Sequence, residues 1–197
     1  MAEQPCPAYV LAGGRSSRMG TDKARVEITP GVTLLEAAVR SVDGGFSSWT
    51  VVADRPDKFA DLGFRTIADH RPHQGPLGGI LRACDDAGQG IFFVISCDRI
   101  GLRRSWVEDL WALMEDRRAS AACFEFKGRI EPLFGWYRAE LSDKLRSFLD
   151  GGDRAVWRFL ESVDAATIVA PSRWEETISV NTPQQLEHAR AWISQNG

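Results

Sequence analysis

Tyr9-Val10-Leu11-Ala12-Gly13-Gly14-Arg15-Ser16-Ser17-Arg18-Met19-Gly20-Thr21-Asp22-Lys23 is the stretch that decides how this chain is read. Its apolar opening stops at a glycine pair, which predicts a buried strand running into a glycine turn. Glycines let backbone N–H groups come close to an anion. Ser16 and Ser17 offer hydroxyl donors, and Arg15, Arg18 and Lys23 place three positive charges within nine residues. Arginine can grip phosphate bidentately; lysine acts as a point charge. A bare Gly-Gly beside an arginine would read as a solvated loop. The full string after a strand reads as a phosphate cradle. It is neither the Gly-Lys-[Ser/Thr] P-loop nor the G-x-G-x-x-G of dinucleotide folds.

Working outward, strands and helices alternate. Leu34 to Val42 predicts a helix with Leu35, Ala38, Val39 and Val42 on one face. Trp49 to Val52 and the weaker Phe64 to Ala68 predict strands, and a helix follows from Pro76 to about Ala87. Ile91-Phe92-Phe93-Val94-Ile95 is apolar on both faces, as a central parallel strand would be. Ser105, with Glu108 three residues on, predicts a capping box for a helix over Trp106–Asp116. Ala121–Phe126 and Pro132–Tyr137 predict two strands about a turn at Lys127-Gly128-Arg129. Helices are expected at about Ala139–Leu149 and Arg154–Ser162, a late strand at Ala166–Val169, and a last helix capped by Thr182 with Pro183 in its first turn. The expected fold is a three-layer α/β/α domain with a mostly parallel, Rossmann-like sheet, spanning residues 1–197 as one domain. Ligands bind at the carboxyl ends of such strands. Leu11 and Ile95 should therefore deliver the glycine loop and Asp98 to one edge.

A carboxylate at a strand end facing a phosphate chain suits Mg²⁺, which is commonly held by one or two carboxylates plus phosphate oxygens and water. The plainer reading of Asp98 is a loop aspartate capping the next helix. Asp69, ahead of Gly75-Pro76-Leu77-Gly78-Gly79, is a hydrogen-bond acceptor beside a helix start that favours an anion; a simple Pro/Gly turn is the alternative. His70, His73 and His188 have no triad or metal spacing, and no G-x-S-x-G elbow is present.

The 197 residues are 44 % hydrophobic and 26 % charged, ordinary for a soluble globular chain. A net charge of −3 argues against general nucleic-acid binding. Cys6, Cys84, Cys97 and Cys123 form no C-x-x-C pair and read as reduced thiols. Met1-Ala2-Glu3-Gln4-Pro5 lacks a basic signal-like region, and no apolar run approaches a membrane span, so a cytoplasmic location is expected.

Leu11–Lys23 resembles the L-A-G-G-x-S-x-R-M-G-x-D-K signature of the MobA-like nucleotidyltransferases. Gly75–Gly79 is similar to that family's G-P-L-A-G, Cys97-Asp98 to its C-D, Glu131-Pro132-Leu133-Phe134 to Q-P-L-F, Gly152-Asp153-Arg154 to a late G-x-R, and Asn181-Thr182-Pro183 to N-T-P. The resemblance implies Mg²⁺-dependent transfer of GMP from GTP to the phosphate of molybdopterin, releasing pyrophosphate. It implies that Leu11, Ala12, Gly13 and Gly14 line the nucleotide site. Lys23, Asp54, Asp69 and Gly79 would join them there, and Asp98 would hold the metal. Arg18, Lys23 and Asp98 would carry the chemistry, and Arg18, Arg154 and Asn181 would face molybdopterin. A molybdenum-insertion enzyme or a recipient apoenzyme would be the protein partner. Asp54 stands where the family usually has Asn, Ile100 where it often has Pro, Glu131 for Gln and Ser179 for Asn. Cytidylyl transfer to molybdopterin, nucleotidyl transfer to another sugar or alcohol phosphate, and a catalytically inactive nucleotide-binding regulator are the alternative readings.

Overall fold

β-Branched and aromatic runs bounded by glycine and short polar turns become the strands, and the helices fall where apolar residues recur every three or four positions. The computed structural model describes residues 6–13, 22–71 and 74–196. In chain order the elements are β1 (Pro7–Leu11), β2 (Glu27–Thr29), β3 (Val32–Thr33), α1 (Leu34–Val42), β4 (Ser48–Ala53), β5 (Arg65–Ala68), α2 (Pro76–Ala87), β6 (Ile91–Ser96), β7 (Arg99–Ile100), α3 (Arg104–Arg117), β8 (Ala121–Phe126), β9 (Arg129–Arg138), α4 (Ser142–Asp150), α5 (Val156–Ser162), β10 (Ala166–Val169), β11 (Ile178–Ser179) and α6 (Pro183–Asn196). A 3₁₀ turn spans Lys23–Arg25.

Seven strands form one sheet in the order β10-β8-β9-β6-β1-β4-β5. It is mostly parallel; only β9 runs antiparallel, between β6 and β8. The β8–β9 turn is Lys127-Gly128 with φ of 52° and 73°, the positive-φ pair of a type I′ hairpin. Helices α1 and α3 share one apolar cluster with the sheet, and α2, α4 and α5 share the cluster on its other face. Each large side chain so buried contributes roughly 1.5–3 kcal/mol relative to exposure. This is the three-layer arrangement expected. The β2–β3 and β7–β11 ribbons are not in the sequence reading. Val180, Leu186 and Ala189 close a third cluster against Ile28, Leu34 and Ile100.

The capping box expected at Ser105 is not formed. Helix α3 begins two residues earlier than expected, at Arg104, with no side-chain cap. Arg104 donates to the Val42 carbonyl at 3.2 Å, and its guanidinium lies 4.9 Å from the centre of the Phe46 ring. These contacts draw the backbone into the helix ahead of Ser105, and Glu108 pairs with Arg104 instead. A capping box does occur at Thr33 and Glu36, where α1 begins. Helix α5 starts at Val156, because Asp153 turns back to accept from the Ala155 N–H at 2.9 Å.

Candidate active site

Strands β1 and β6 are parallel neighbours with Leu11 in register with Ser96. Their carboxyl ends thus release the glycine loop and Cys97-Asp98 side by side. The Cys97 N–H donates to the Leu11 carbonyl at 3.3 Å and the Ala12 N–H to the Val52 carbonyl at 2.9 Å. A cavity of about 170 Å³ opens there, walled by Leu11, Ala12, Gly13, Lys23, Asp69 and Asp98, with Gly75, Pro76 and Gly79 from the start of α2. Gly75 has φ 67° and ψ −160°, a conformation only glycine adopts readily. Its turn points the first turn of α2 at the cavity, where the helix dipole favours negative charge. A Cβ on Gly79 would stand 3.0 and 3.1 Å from the two Leu11 Cδ atoms, so the missing side chain lets α2 close on the wall of the cavity.

Lys23 is the centre of charge. Its Nζ lies 2.7 Å from Asp98 Oδ2 and 3.0 Å from Asn181 Oδ1. Asn181 reaches this point from the far end of the chain because β11 pairs antiparallel with β7 and the Val180 N–H donates to the Asp98 carbonyl at 2.7 Å. Asp69 is held by backbone: its N–H donates to the Ala53 carbonyl at 2.7 Å, and its Oδ1 accepts from the Arg71 N–H at 2.8 Å.

The chain thus brings Leu11, Ala12, Gly13, Lys23, Asp69, Gly79 and Asp98 to one cavity, with Asn181 joined to it through Lys23 rather than standing apart. Asp54 and Arg154 are not in the wall. Asp54 pairs with Lys58 at 2.7 Å, and Arg154 Nε donates to Gln74 Oε1 at 2.7 Å, beside the loop that leads into α2. Hydrogen bonding from Lys58 holds the Asp54 carboxyl below the usual carboxylate range, against the opposing effect of burial. Gly14, Arg15, Ser16, Ser17, Arg18 and His73 lie outside the described residues. The sequence reading did not single out Lys58, although its i, i+4 spacing from Asp54 was a signal. Burial alone would lower the pKa of Lys58; its bonds to Asp22 and Asp54 outweigh that and raise it.

The departures at 99–100, 131 and 179 share one neighbourhood. Ser179 is in register with Arg99, and Ile178 with Ile100. Arg99 donates to Glu131 Oε2 at 2.9 Å and Thr177 Oγ1 at 3.0 Å, and lies 4.8 Å from the centre of the Trp174 ring. Glu131 thus gives Arg99 a charged partner that a glutamine would lack.

A larger open groove of about 880 Å³ lies by the β10 edge, lined by Arg129, Val156, Trp157, Leu160 and Thr167 with the acidic Glu125, Glu161 and Asp164. None of Leu11, Ala12, Gly13, Lys23, Asp69 and Asp98 lines it. The chemistry belongs to the smaller cavity.

The MobA-like NTP transferase domain matches residues 8–167. The chain belongs to that family. It is a nucleotidyltransferase. A probable molybdenum cofactor guanylyltransferase of Mycobacterium avium is 34 % identical over 182 residues, 90 % of this chain and 91 % of that one. Molybdopterin-guanine dinucleotide biosynthesis protein A of Archaeoglobus fulgidus superposes on this nucleotidyltransferase with a TM-score of 0.79 at 22 % identity, covering 96 % of this chain and 99 % of its own. A 2-C-methyl-D-erythritol 4-phosphate cytidylyltransferase of Thermus thermophilus does so with a TM-score of 0.67 at 16 % identity, covering 94 % and 98 %. At such identities these likenesses speak for the fold alone. Among the described residues no helix is long and apolar enough to cross a membrane.

Proposed function

We propose that this enzyme transfers GMP from GTP to the phosphate of molybdopterin, with Mg²⁺, and releases pyrophosphate. The observation that carries the reading is the meeting of Lys23, Asp98 and Asn181 at the mouth of a cavity formed by the glycine loop and the start of α2. The choice of GTP and molybdopterin is supported by the names of the relatives.

The oxygens of Asp98 and Asn181 converge on one ammonium, at 2.7 and 3.0 Å. Two hard oxygen donors about a cationic centre fit Mg²⁺ as well as they fit lysine. Among the described residues no three His, Cys, Asp or Glu side chains cluster to hold a metal, so phosphate oxygens and water would complete its shell. Asp98 would hold the ion, which would neutralise phosphate charge. Lys23, which now spends its charge on Asp98, would turn to the β- and γ-phosphates. An acceptor phosphate oxygen attacks the α-phosphorus in line; a new P–O bond forms as the bond to the bridging β-oxygen breaks. The acceptor is already anionic, so the chain need supply no strong base. Its share is positioning and charge neutralisation. A protein partner that supplies the acceptor or takes the product is part of the same proposal.

The test has two arms. GTP with Mg²⁺ should add roughly 2.7 kcal/mol of stability at ~100 times its dissociation constant, and more than CTP, UTP or ATP adds at the same concentration. A preference for CTP would move the reading to cytidylyl transfer. Asp98→Asn and Lys23→Ala should fold normally and lose roughly 10²-fold in pyrophosphate release. Unchanged turnover in both would overturn the assignment.

A further inference from the structure

Asp22 directly precedes the lysine on which the site turns. Its carboxylate is fully engaged elsewhere. Oδ1 accepts from the Ala24 N–H at 3.2 Å and caps the 3₁₀ turn. Oδ2 takes Lys58 Nζ at 2.7 Å. Lys58 also holds Asp54, and its side chain is only 15 % exposed. Its own place is fixed. Nζ lies 5.4 Å from the centre of the Phe59 ring, and Phe59 is fully buried with its N–H on Thr66 Oγ1 at 3.2 Å. Arg25 stacks against the same ring at 5.1 Å, grips Asp61 with two bonds of 2.7 and 2.8 Å, and donates to the Lys58 carbonyl. The segment that carries Lys23 is therefore joined to residues 58–61 on both sides of that lysine.

The charges explain why this matters. An ammonium on a four-carbon stem follows the nearest uncompensated carboxylate. With Lys58 removed, Asp22 would lose the cation bonded to it among the described residues, one residue from Lys23. It would compete with Asp98 and with an incoming phosphate. We propose that Lys58 is a positioning residue: by occupying Asp22 it keeps the Lys23 ammonium on the Asp98 side of the site. The role in turnover rests on the reading of Lys23 as a phosphate contact; the aim of Lys23 does not.

The test therefore reads that aim first, on the protein alone. Nitrogen-15 NMR of the lysine ammonium groups should show a slowly exchanging signal for Lys23, identified by its loss in Lys23→Arg. Lys58→Met should shift or broaden it, and Lys58→Arg should keep it. The deciding variant is Lys58→Met with Asp22→Asn. The asparagine side chain keeps the capping oxygen and loses the charge, so the signal should return. Nucleotide affinity should follow, weaker by roughly tenfold in Lys58→Met and largely restored in the double variant. A purely structural Lys58 would not be rescued by removing a second side chain. No slow Lys23 signal in the unaltered protein, an unchanged signal in Lys58→Met, or further loss in the double variant would each overturn the proposal. An unaltered protein that shows the signal and binds no nucleotide would instead overturn the reading of Lys23 as a phosphate contact, while the signal still decides the role of Lys58.

Discussion

At residue scale, a missing side chain counts for as much as a charged one. Gly79 sits on α2 where a Cβ would press on both Leu11 methyls, and Leu11 is part of the cavity wall. Gly79→Ala should gain up to about 1 kcal/mol of helix propensity and lose a similar amount, about 1 kcal/mol, to overpacking. The melting temperature should then hardly move. Leu11 can yield only by a few tenths of an ångström toward the cavity or its neighbours, so nucleotide affinity should fall by about 1 kcal/mol, roughly fivefold. Thermal denaturation beside a nucleotide titration checks this, and a parallel loss of both would show that Gly79 serves the fold alone. That Gly13 and Asp98 come to one cavity was legible in the sequence, because neighbouring parallel strands release their loops at the same sheet edge. The partner of Lys23 was not: Asn181 lies 158 residues away, and no local pattern encodes that distance.

At the scale of elements, the docking of α2 decides where its N-terminus points. Near the other end of the helix, Asp86 takes two bonds of 2.7 Å from Arg65 on β5 and one of 3.0 Å from the Tyr9 hydroxyl on β1. Arg65 chiefly, with Tyr9 and Arg82, holds the Asp86 carboxyl below its ordinary range despite burial. A carboxyl with a depressed native pKa contributes stability above the unfolded value, near 4, and loses it as pH falls through the native value. Asp86→Asn should therefore cost about 1–2 kcal/mol at neutral pH, the low side for charged hydrogen bonds because Arg65 is well exposed. Melting curves of the two proteins should converge as pH falls below about 4. A constant difference across that range would mean that packing, not charge, is lost. The β8–β9 pair makes a harder demand. A Cβ on Gly135 would meet Cys123 Sγ at 2.7 Å and the Ala122 carbonyl oxygen at 2.8 Å, beside the point where the register jumps. Backbone cannot step aside as Leu11 can, so Gly135→Ala should cost about 3 kcal/mol, measured by denaturant unfolding.

At the scale of the whole molecule, none of the four cysteines is in a disulfide, as their spacing suggested. Cys84, Cys97 and Cys123 are buried in the two main apolar clusters. Burial, foremost, pushes the thiols of Cys84 and Cys123 up to about 12. The reactive thiolate is thus nearly absent at neutral pH. A thiol reagent applied to native protein should leave these three untouched and modify all four in denaturant. Modification of any of the three at the unfolded rate would reveal an opening of the core well below global unfolding.

By itself, the sequence determined the strand and helix alternation, the mostly parallel sheet, and the two strand-end loops that meet at its edge. These rest on local periodicity and turn chemistry, which act over a few residues. It misread the start of α3, where Arg104 follows a distant carbonyl and ring rather than the cap rule. Only the tertiary structure decided that Asn181 joins Lys23 and Asp98, that Glu131 answers Arg99, and that Lys58 holds Asp22. Each of these pairs joins residues far apart in the chain, brought together by strand order, ribbon register and the turns between them, and those arise from burying the apolar clusters together rather than from any pattern along the chain.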